Sequence, residues 1–363
     1  MNANLTAHPP QGGATGSPMI SWALLLAASI LIAAALHQLH LPAAFLLGPM
    51  AAAVMMATGG RALGIPAPAF SIAQGIVGVM IGSTLPGSIF HEILSRWPVF
   101  LLGTTSTLVA AYFLGWMLAR SRVLPGTTGI WGSAPGAATA MTLMSESYGA
   151  DLRLVAFMQY LRVACCAIIA AVIARLLGIP ASAHAAHLTQ DTPWQGALIG
   201  LSVVLAGSFL GWRLRIPAGG LLLSMAGAMA IKLTAIAPIA LSPVILVLGY
   251  ALIGWTIGMR FTRDVLVHAG RAFPRVLLSI LALIAICGAS AGALVLFAGV
   301  DPLTAYLATS PGGADSVSII AAETRVDVPF VIAMQVARFV CVLAFGPALA
   351  GAVSRLISKD MHP

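Results

Sequence analysis

The chain has 363 residues, of which 60% are hydrophobic and only 8% charged, with a mean hydropathy of +0.99. A soluble domain carries about a quarter charged residues, so a soluble globular reading is excluded. The formal net charge of +8 does not indicate a nucleic-acid face, because the basic residues are isolated arginines in short connections rather than a run.

In chain order, residues 1–18 are polar and rich in Gly and Pro, and read as a disordered tail. The apolar run Met19–Ala35 ends in an A-x-A but has no basic segment before it, so it reads as a retained first span rather than a cleaved signal. Spans follow at roughly 42–58, 66–83 and 98–119, then a broken element at 125–150 and a last span at 152–177. Residues 178–194, with Pro, Ser and two His, read as a linker. A second series follows: 195–213, 217–236, 240–258 and 274–298, a broken element at 301–325, and 327–350. Repeat 1 is thus 19–177 and repeat 2 is 195–355, with a carboxy-terminal tail at 356–363. Short amphipathic stretches at 86–96 and 262–273 precede the fourth span of each half and suit an interfacial position.

The chain contains itself twice. Residues 133–163 set against 309–339, at a constant offset of 176, match at Pro135/Pro311, Gly136/Gly312, Asp151/Asp327, Gln159/Gln335 and Arg162/Arg338. Leu41–Thr58 matches Ile216–Leu233 at offset 175, and the pair Gly78/Gly82 matches Gly254/Gly258. Pro, Asp, Gln and Arg in fixed register are not accidental matches of apolar residues. Internal repeats of this kind are common in secondary transporters.

Charge placement decides the relation of the halves. If each broken element dips in and returns, each half has five spans and the halves are inverted, with both termini cytoplasmic. Twelve of the 18 basic residues then lie inside and four outside (Arg96, Arg175, Lys232 and Arg325), which the positive-inside rule favours. If each broken element crosses instead, each half has six spans, the halves are parallel, and seven basic residues inside against nine outside show no bias. The expected fold is therefore an all-α polytopic membrane protein of two inverted repeats, about ten spans plus two broken Pro-Gly elements, in a bacterial-type inner membrane.

The breaks Ser133-Ala-Pro-Gly136 and Ser310-Pro-Gly-Gly313 interrupt otherwise helix-compatible runs. A helix restarting at mid-membrane presents unpaired amides and its positive dipole end, which attract an anion; freed carbonyls can ligate a cation. Arg162 and Arg338 lie about ten residues into their spans, each three residues after a glutamine on the same face (Gln159 and Gln335). A guanidinium at that depth faces a cavity or a partner: a solute carboxylate, or a protein carboxylate such as Asp315 for Arg338 and Asp151 or Glu146 for Arg162. Ser133, Pro135, Gly136, Gln159, Arg162, Ser310, Pro311, Gly312, Gly313, Gln335 and Arg338 are the candidate substrate-binding residues. Asp315, where repeat 1 has Thr139, breaks the symmetry. It is the candidate proton or sodium site together with Thr139, or alternatively a cap on helix amides. Glu146, Asp151, Glu323 and Asp327 are expected near the interfaces. Thr142, Thr309, Ser316 and Ser318 are hydroxyls that line the site or bond back to their own helices.

No P-loop, GxGxxG or GxSxG is present, and no catalytic residues, cofactor or metal site is expected. His37/His40 and His184/His187 have HxxH spacing but sit in connections without a nearby ligand cluster, and the four cysteines fall inside apolar runs.

With its paired Pro-containing spans, its glycine-pair span and its doubled Pro-Gly…Asp…Gln-x-x-Arg block, the chain resembles the AbrB-type duplicated membrane protein family over roughly residues 20–350. Members are often labelled transition-state regulator or ammonia monooxygenase. The resemblance implies membrane location and duplication. Monooxygenase chemistry would need copper or iron, for which the histidine pattern offers no site. The architecture is also similar, more loosely, to inverted-repeat secondary transporters. The expected function is a secondary transporter of a small anionic organic solute coupled to H+ or Na+, in the lipid bilayer, with no nucleic-acid partner and with room for a homo-oligomer. The alternatives are a channel-like or efflux protein for a neutral or cationic solute, and a membrane regulator without transport.

Overall fold

The structure is a computed structural model, and it describes residues 18–87, 94–121, 124, 125, 127–135, 141, 145, 148–178 and 194–361. The expectations placed on residues 1–17, most of 86–96, Gly136, Thr139, Thr142, Glu146 and 179–193 of the linker lie outside the described residues. The described residues are helical, with turns and short connections between helices.

Repeat 1 contributes α1 (Pro18–Gln38), α2 (Ala44–Thr58), α3 (Ala67–Thr84), α4 (Trp97–Arg120), α5 (Thr128–Ser133) and α6 (Leu152–Leu176). Repeat 2 contributes α7 (Trp194–Arg213), α8 (Gly219–Thr234), α9 (Pro243–Gly258), α10 (Arg263–Ala269), α11 (Phe273–Ala298), α12 (Pro302–Thr309), α13 (Ala314–Ala322) and α14 (Val328–Met361). Helix starts fall where the sequence favours them: Pro occupies the first turn of α3, α4, α9, α11 and α12, where its missing N–H costs nothing.

Six of these helices (α1, α3, α4, α6, α7 and α11) are long and apolar enough to cross a bilayer, and α9 with α10 forms a bent pair at 48°. The expected spans at 42–58 and 217–236 form helices of 15 and 16 residues. At 1.5 Å per residue these reach about 22–24 Å, short of a hydrocarbon core of about 30 Å. Ten full-length spans are therefore more than the described helices provide. At the carboxy end, α14 continues as helix through most of the expected tail, to Met361.

The halves interlock. Gly78 and Gly82 of α3 lie against the backbone of Leu221 and Met225 in α8, while Gly254 and Gly258 of α9 lie against Leu46 and Met50 in α2. These are the same helices with the halves exchanged. A Cβ at Gly254 or Gly258 would stand 2.5 Å from the carbonyl oxygen of Leu46 or Met50 respectively, closer than side chains approach backbone, so the contact requires glycine. Gly254→Leu is expected to cost about 1–3 kcal/mol or more, read as a lowered Tm and loss of monodisperse protein. Gly288→Leu in α11, where a Cβ meets open space, is the control and is expected to be silent.

Helix α3 and its sequence counterpart α9 run antiparallel. Ile76 packs near Gly249, the Tyr250 hydroxyl lies 2.8 Å from Met80 Sδ, and Phe70 and Gln74 share a cavity wall with Ile253 and Ile257. The main hydrophobic core runs along this crossing and into α6, α12, α13 and α14, so the interrupted elements are packed inside the molecule.

Candidate functional site

Both interrupted elements begin as a short helix that ends in mid-core: α5 at Ser133 and α12 at Thr309. A helix cut short leaves its last carbonyls without partners and concentrates negative charge there. The Gln-x-x-Arg pair of the following long helix supplies the missing donors. Gln159 Nε2 donates to the Trp131 and Ala134 carbonyls at 2.9 and 3.0 Å. Arg162 Nη1 donates to Ser133 and Ala134, both at 3.1 Å, and its Nη2 donates to Gln159 Oε1 at 2.7 Å. The second half repeats this almost atom for atom: Gln335 Nε2 donates to Leu307 (2.8 Å) and Ser310 (3.4 Å). Arg338 donates to the Ser310 carbonyl, to Gly312 O at 2.9 Å and to Gln335 Oε1. All four side chains are buried.

The expected carboxylate partners of the arginines are therefore not the ones found among the described residues. A guanidinium fits here because its fork reaches two carbonyls and a side-chain amide at once, where a carboxylate would meet only repulsion from the carbonyls. The far ends of the elements are tied in matching fashion: the Asp151 N–H donates to Thr128 Oγ1 at 3.0 Å, and the Asp327 N–H donates to Thr304 Oγ1 at 3.1 Å.

Asp315 sits in the first turn of α13 beyond the second break, with Oδ2 accepting from Gln74 Nε2 of α3 at 2.9 Å. Gln74, a polar residue inside an apolar span, was not singled out by sequence reasoning; the signal was its position between Ala73 and Gly75. Of the hydroxyls, Thr309, Ser316 and Ser318 bond back to carbonyls of their own segments, and Ser310 Oγ accepts from the Gly312 N–H. Thr309 also reaches the Cys287 carbonyl, tying α12 to α11.

A cavity of about 120 Å³ opens where these parts meet. Its wall includes Pro135 from the first break, Gly312, Gly313, Asp315 and Ser316 from the second, and Gln335 and Arg338 behind it. Gln74, Phe70, Leu221, Ile253 and Phe339 complete much of the rest. Ser133, Gln159, Arg162, Ser310 and Pro311 are not among the residues lining this cavity; the first four serve the helix ends described above. Among the described residues, no group of three or more His, Cys, Asp and Glu comes together that could hold a metal.

Asp151 and Glu323 depart from a purely interfacial role. Asp151 caps α6 by accepting from the Arg153 and Leu154 amides, and it also pairs with His268 of α10 at 2.8 Å, joining the two halves. Burial pushes the Asp151 carboxyl up, but the bond to His268, the two amides and the His268 charge outweigh it and hold it below the usual carboxylate range. A depressed folded value contributes stability above about pH 4 that is lost as pH falls through it. Asp151→Asn, which retains capping ability, is expected to flatten the decline of Tm between about pH 5 and 3 relative to the wild type. Glu323 is buried, and its Oε2 accepts from the Ala43 N–H at the start of α2 at 2.6 Å.

Fold and site together define an all-helical, internally duplicated protein of the polytopic membrane type. The family described as "Transition state regulatory protein AbrB" matches residues 45–354, and the chain belongs to this AbrB family. It is 41% identical over 345 residues to the protein named "Putative regulator AbrB" of Escherichia coli (strain K12), covering 94% of this chain and 99% of that one. It is 25% identical over 315 residues to "Uncharacterized protein YhjN" of Bacillus subtilis (strain 168), covering 76% of each.

Proposed function

We propose that the chain is a secondary transporter of a small anionic organic solute, coupled to protons or sodium, with its binding site in the cavity between the two helix breaks. The observation that carries this reading is that Pro135 of one break and Gly312, Gly313 and Asp315 of the other line the same cavity, backed by the buried guanidinium of Arg338. Interrupted helices within a membrane-depth core persist where they surround a polar cavity, because their free backbone ends need partners. The arginines meet part of that need and leave the site electropositive. One carboxylate, Asp315, then takes the coupling role, as proton acceptor or cation ligand.

The antiparallel run of α3 and α9, together with the basic residues concentrated on one side, supports inverted halves in an inner membrane with both termini cytoplasmic. In this arrangement the cavity lies in the cytoplasmic half of the helices that line it, beside Arg260, which stacks on Tyr160 of its wall. No chemical conversion of the solute is part of this reading.

A second reading, a membrane regulator that senses a solute without moving it, is favoured by the printed name of the Escherichia coli relative. Flux separates the two. Protein reconstituted into liposomes is expected to accumulate labelled small carboxylates under an inward proton or sodium gradient, and to lose that accumulation when the gradient is collapsed. Solute binding without any flux would favour the regulator.

A further inference from the structure

The carbonyls that a helix break would offer to a cation are already bonded. Of the second-break residues that line the cavity, Gly312 O accepts from Arg338 Nη2 at 2.9 Å. Gly313 O accepts from the Val317 N–H at 3.0 Å and from the Ser316 hydroxyl at 3.1 Å, and Ala314 O accepts from the Ser318 hydroxyl at 2.5 Å. At the first break, Gln159 and Arg162 hold the Ala134 carbonyl, and Arg162 holds that of Ser133. Gln335 Oε1, from a residue of the cavity wall, accepts from Arg338. Asp315 is different: among the described residues it is the one carboxylate in that wall, and its Oδ2 meets Gln74 Nε2 at 2.9 Å. In the register of the repeat, Tyr250 stands at the position of Gln74 and Thr139 at that of Asp315, so the pair occurs once.

We propose that the coupling ion is the proton, taken up by Asp315 at one per transport cycle, and that this cavity has no sodium site. This rests on the transporter reading of the same cavity and decides between the two ions that reading allows. A sodium ion leaving water needs several oxygens in place of its hydration shell, and transporters with broken helices supply them from unwound backbone carbonyls. Here protein donors take those carbonyls, and the one at Gly312 is bonded to a guanidinium, whose charge repels a second cation. A proton needs a single oxygen. Gln74 suits both states of that oxygen: its N–H donates to the carboxylate, and its carbonyl can accept from the carboxylic acid once the amide turns over. The proton therefore comes and goes without leaving an enclosed polar group unpaired. Coupling follows from charge: an anionic solute in the cavity favours the neutral form of a neighbouring carboxylate, and by reciprocity the bound proton favours the anion.

Of the elements packed against α13, α3 carries no titratable group, α9 carries Tyr250 and α12 Tyr306; near the breaks α6 carries Tyr160, Arg162 and Cys166, and α14 Arg338. Tyrosine, cysteine and arginine ordinarily keep their protons at pH 7, which leaves Asp315 to exchange one. Glu323 stands just past the far end of α13, bonded to the Ala43 N–H and outside the cavity wall. The test uses the purified full-length protein without solute. Infrared difference spectra between about pH 9 and about pH 4 follow the carbonyl stretch of protonated carboxyl groups. Asp315→Asn is expected to lose the amplitude of one carboxyl, on the unmodified and on the Glu323→Gln background alike. Equilibrium dialysis with radiolabelled sodium at constant pH is expected to show no saturable binding. Saturable sodium binding to the unmodified protein, or a folded Asp315→Asn protein that keeps the full carboxyl amplitude, would each overturn the proposal. If Asp315→Asn does not fold, sodium dialysis of the unmodified chain decides by itself. An Asp315 that titrates in this way, in a protein that moves no solute in liposomes, leaves the proton site standing and removes the transporter reading. Accumulation of labelled small carboxylates driven by a sodium gradient at equal pH does the reverse.

Discussion

Asp315→Asn is expected to abolish gradient-driven accumulation of solute while leaving folding, membrane insertion and solute exchange largely intact. The substitution is nearly isosteric, and an asparagine Oδ1 still accepts the bond that Gln74 Nε2 gives to Asp315 Oδ2 at 2.9 Å. What is lost is the charge. A carboxylate enclosed in a low-dielectric wall is neutralised by a proton or by a bound cation, and an amide can take neither role. The effect is expected in flux alone: the accumulation ratio falls to about one, and the dependence on pH or sodium disappears. The symmetry of the chain gives this prediction its force, since Asp315 has Thr139 as its counterpart whereas the Pro-Gly, Asp, Gln and Arg features are doubled. A variant that accumulates solute with unchanged ion dependence would leave Asp315 as an anchor for Gln74 and no more.

Arg338→Lys and Arg162→Lys are expected to destabilise the protein by similar amounts. Each arginine donates to two backbone carbonyls at the cut end of a helix and to the glutamine one turn before it. An ammonium keeps the charge but cannot hold a planar fork, so at least one buried carbonyl loses its partner, at about 1–3 kcal/mol each. A fall in Tm that is the same for both variants, and present without solute, is the signature of this shared duty. Weakened solute binding is expected from Arg338→Lys in addition, because Arg338 lines the cavity and Arg162 does not. If Arg162→Lys leaves Tm untouched and Arg338→Lys changes only binding, the carbonyl-satisfying role fails and direct recognition of the solute takes its place.

Much of this arrangement was legible in the sequence because duplication exposes it. Pro135/Pro311 and Gly136/Gly312 marked the breaks, and the pairs Gly78/Gly82 and Gly254/Gly258 marked the close packing of helices. The purpose of Gln159/Arg162 and Gln335/Arg338 was not legible. A buried arginine announces that it needs acceptors, but only the fold shows that the acceptors are carbonyls of a helix 25–29 residues earlier in the chain. Nor could the sequence give the partners of Asp315 and Glu323. Gln74 and Ala43 are 241 and 280 residues away and reach them through packing between the halves. The expected spans at 42–58 and 217–236 begin before the left-handed residues Ala43 and Ala218, after which α2 and α8 start, and the second also runs past the left-handed Ala235 that stops α8; the end of α2 at Thr58 is as expected.

The account turns on the two halves being inverted about a shared cavity, and labelling of single cysteines from either side of the membrane tests this most directly. Cysteines at Arg61, Arg213 and Arg263, all exposed and away from the cavity, are expected to react only from the cytoplasmic side. One at Lys232, whose Nζ donates to the Leu85 carbonyl at the far end of α3, is expected to react only from the opposite side. If Lys232 reports the same side as Arg61, and Arg213 the other, the halves are parallel and the two breaks do not enclose one site by inversion.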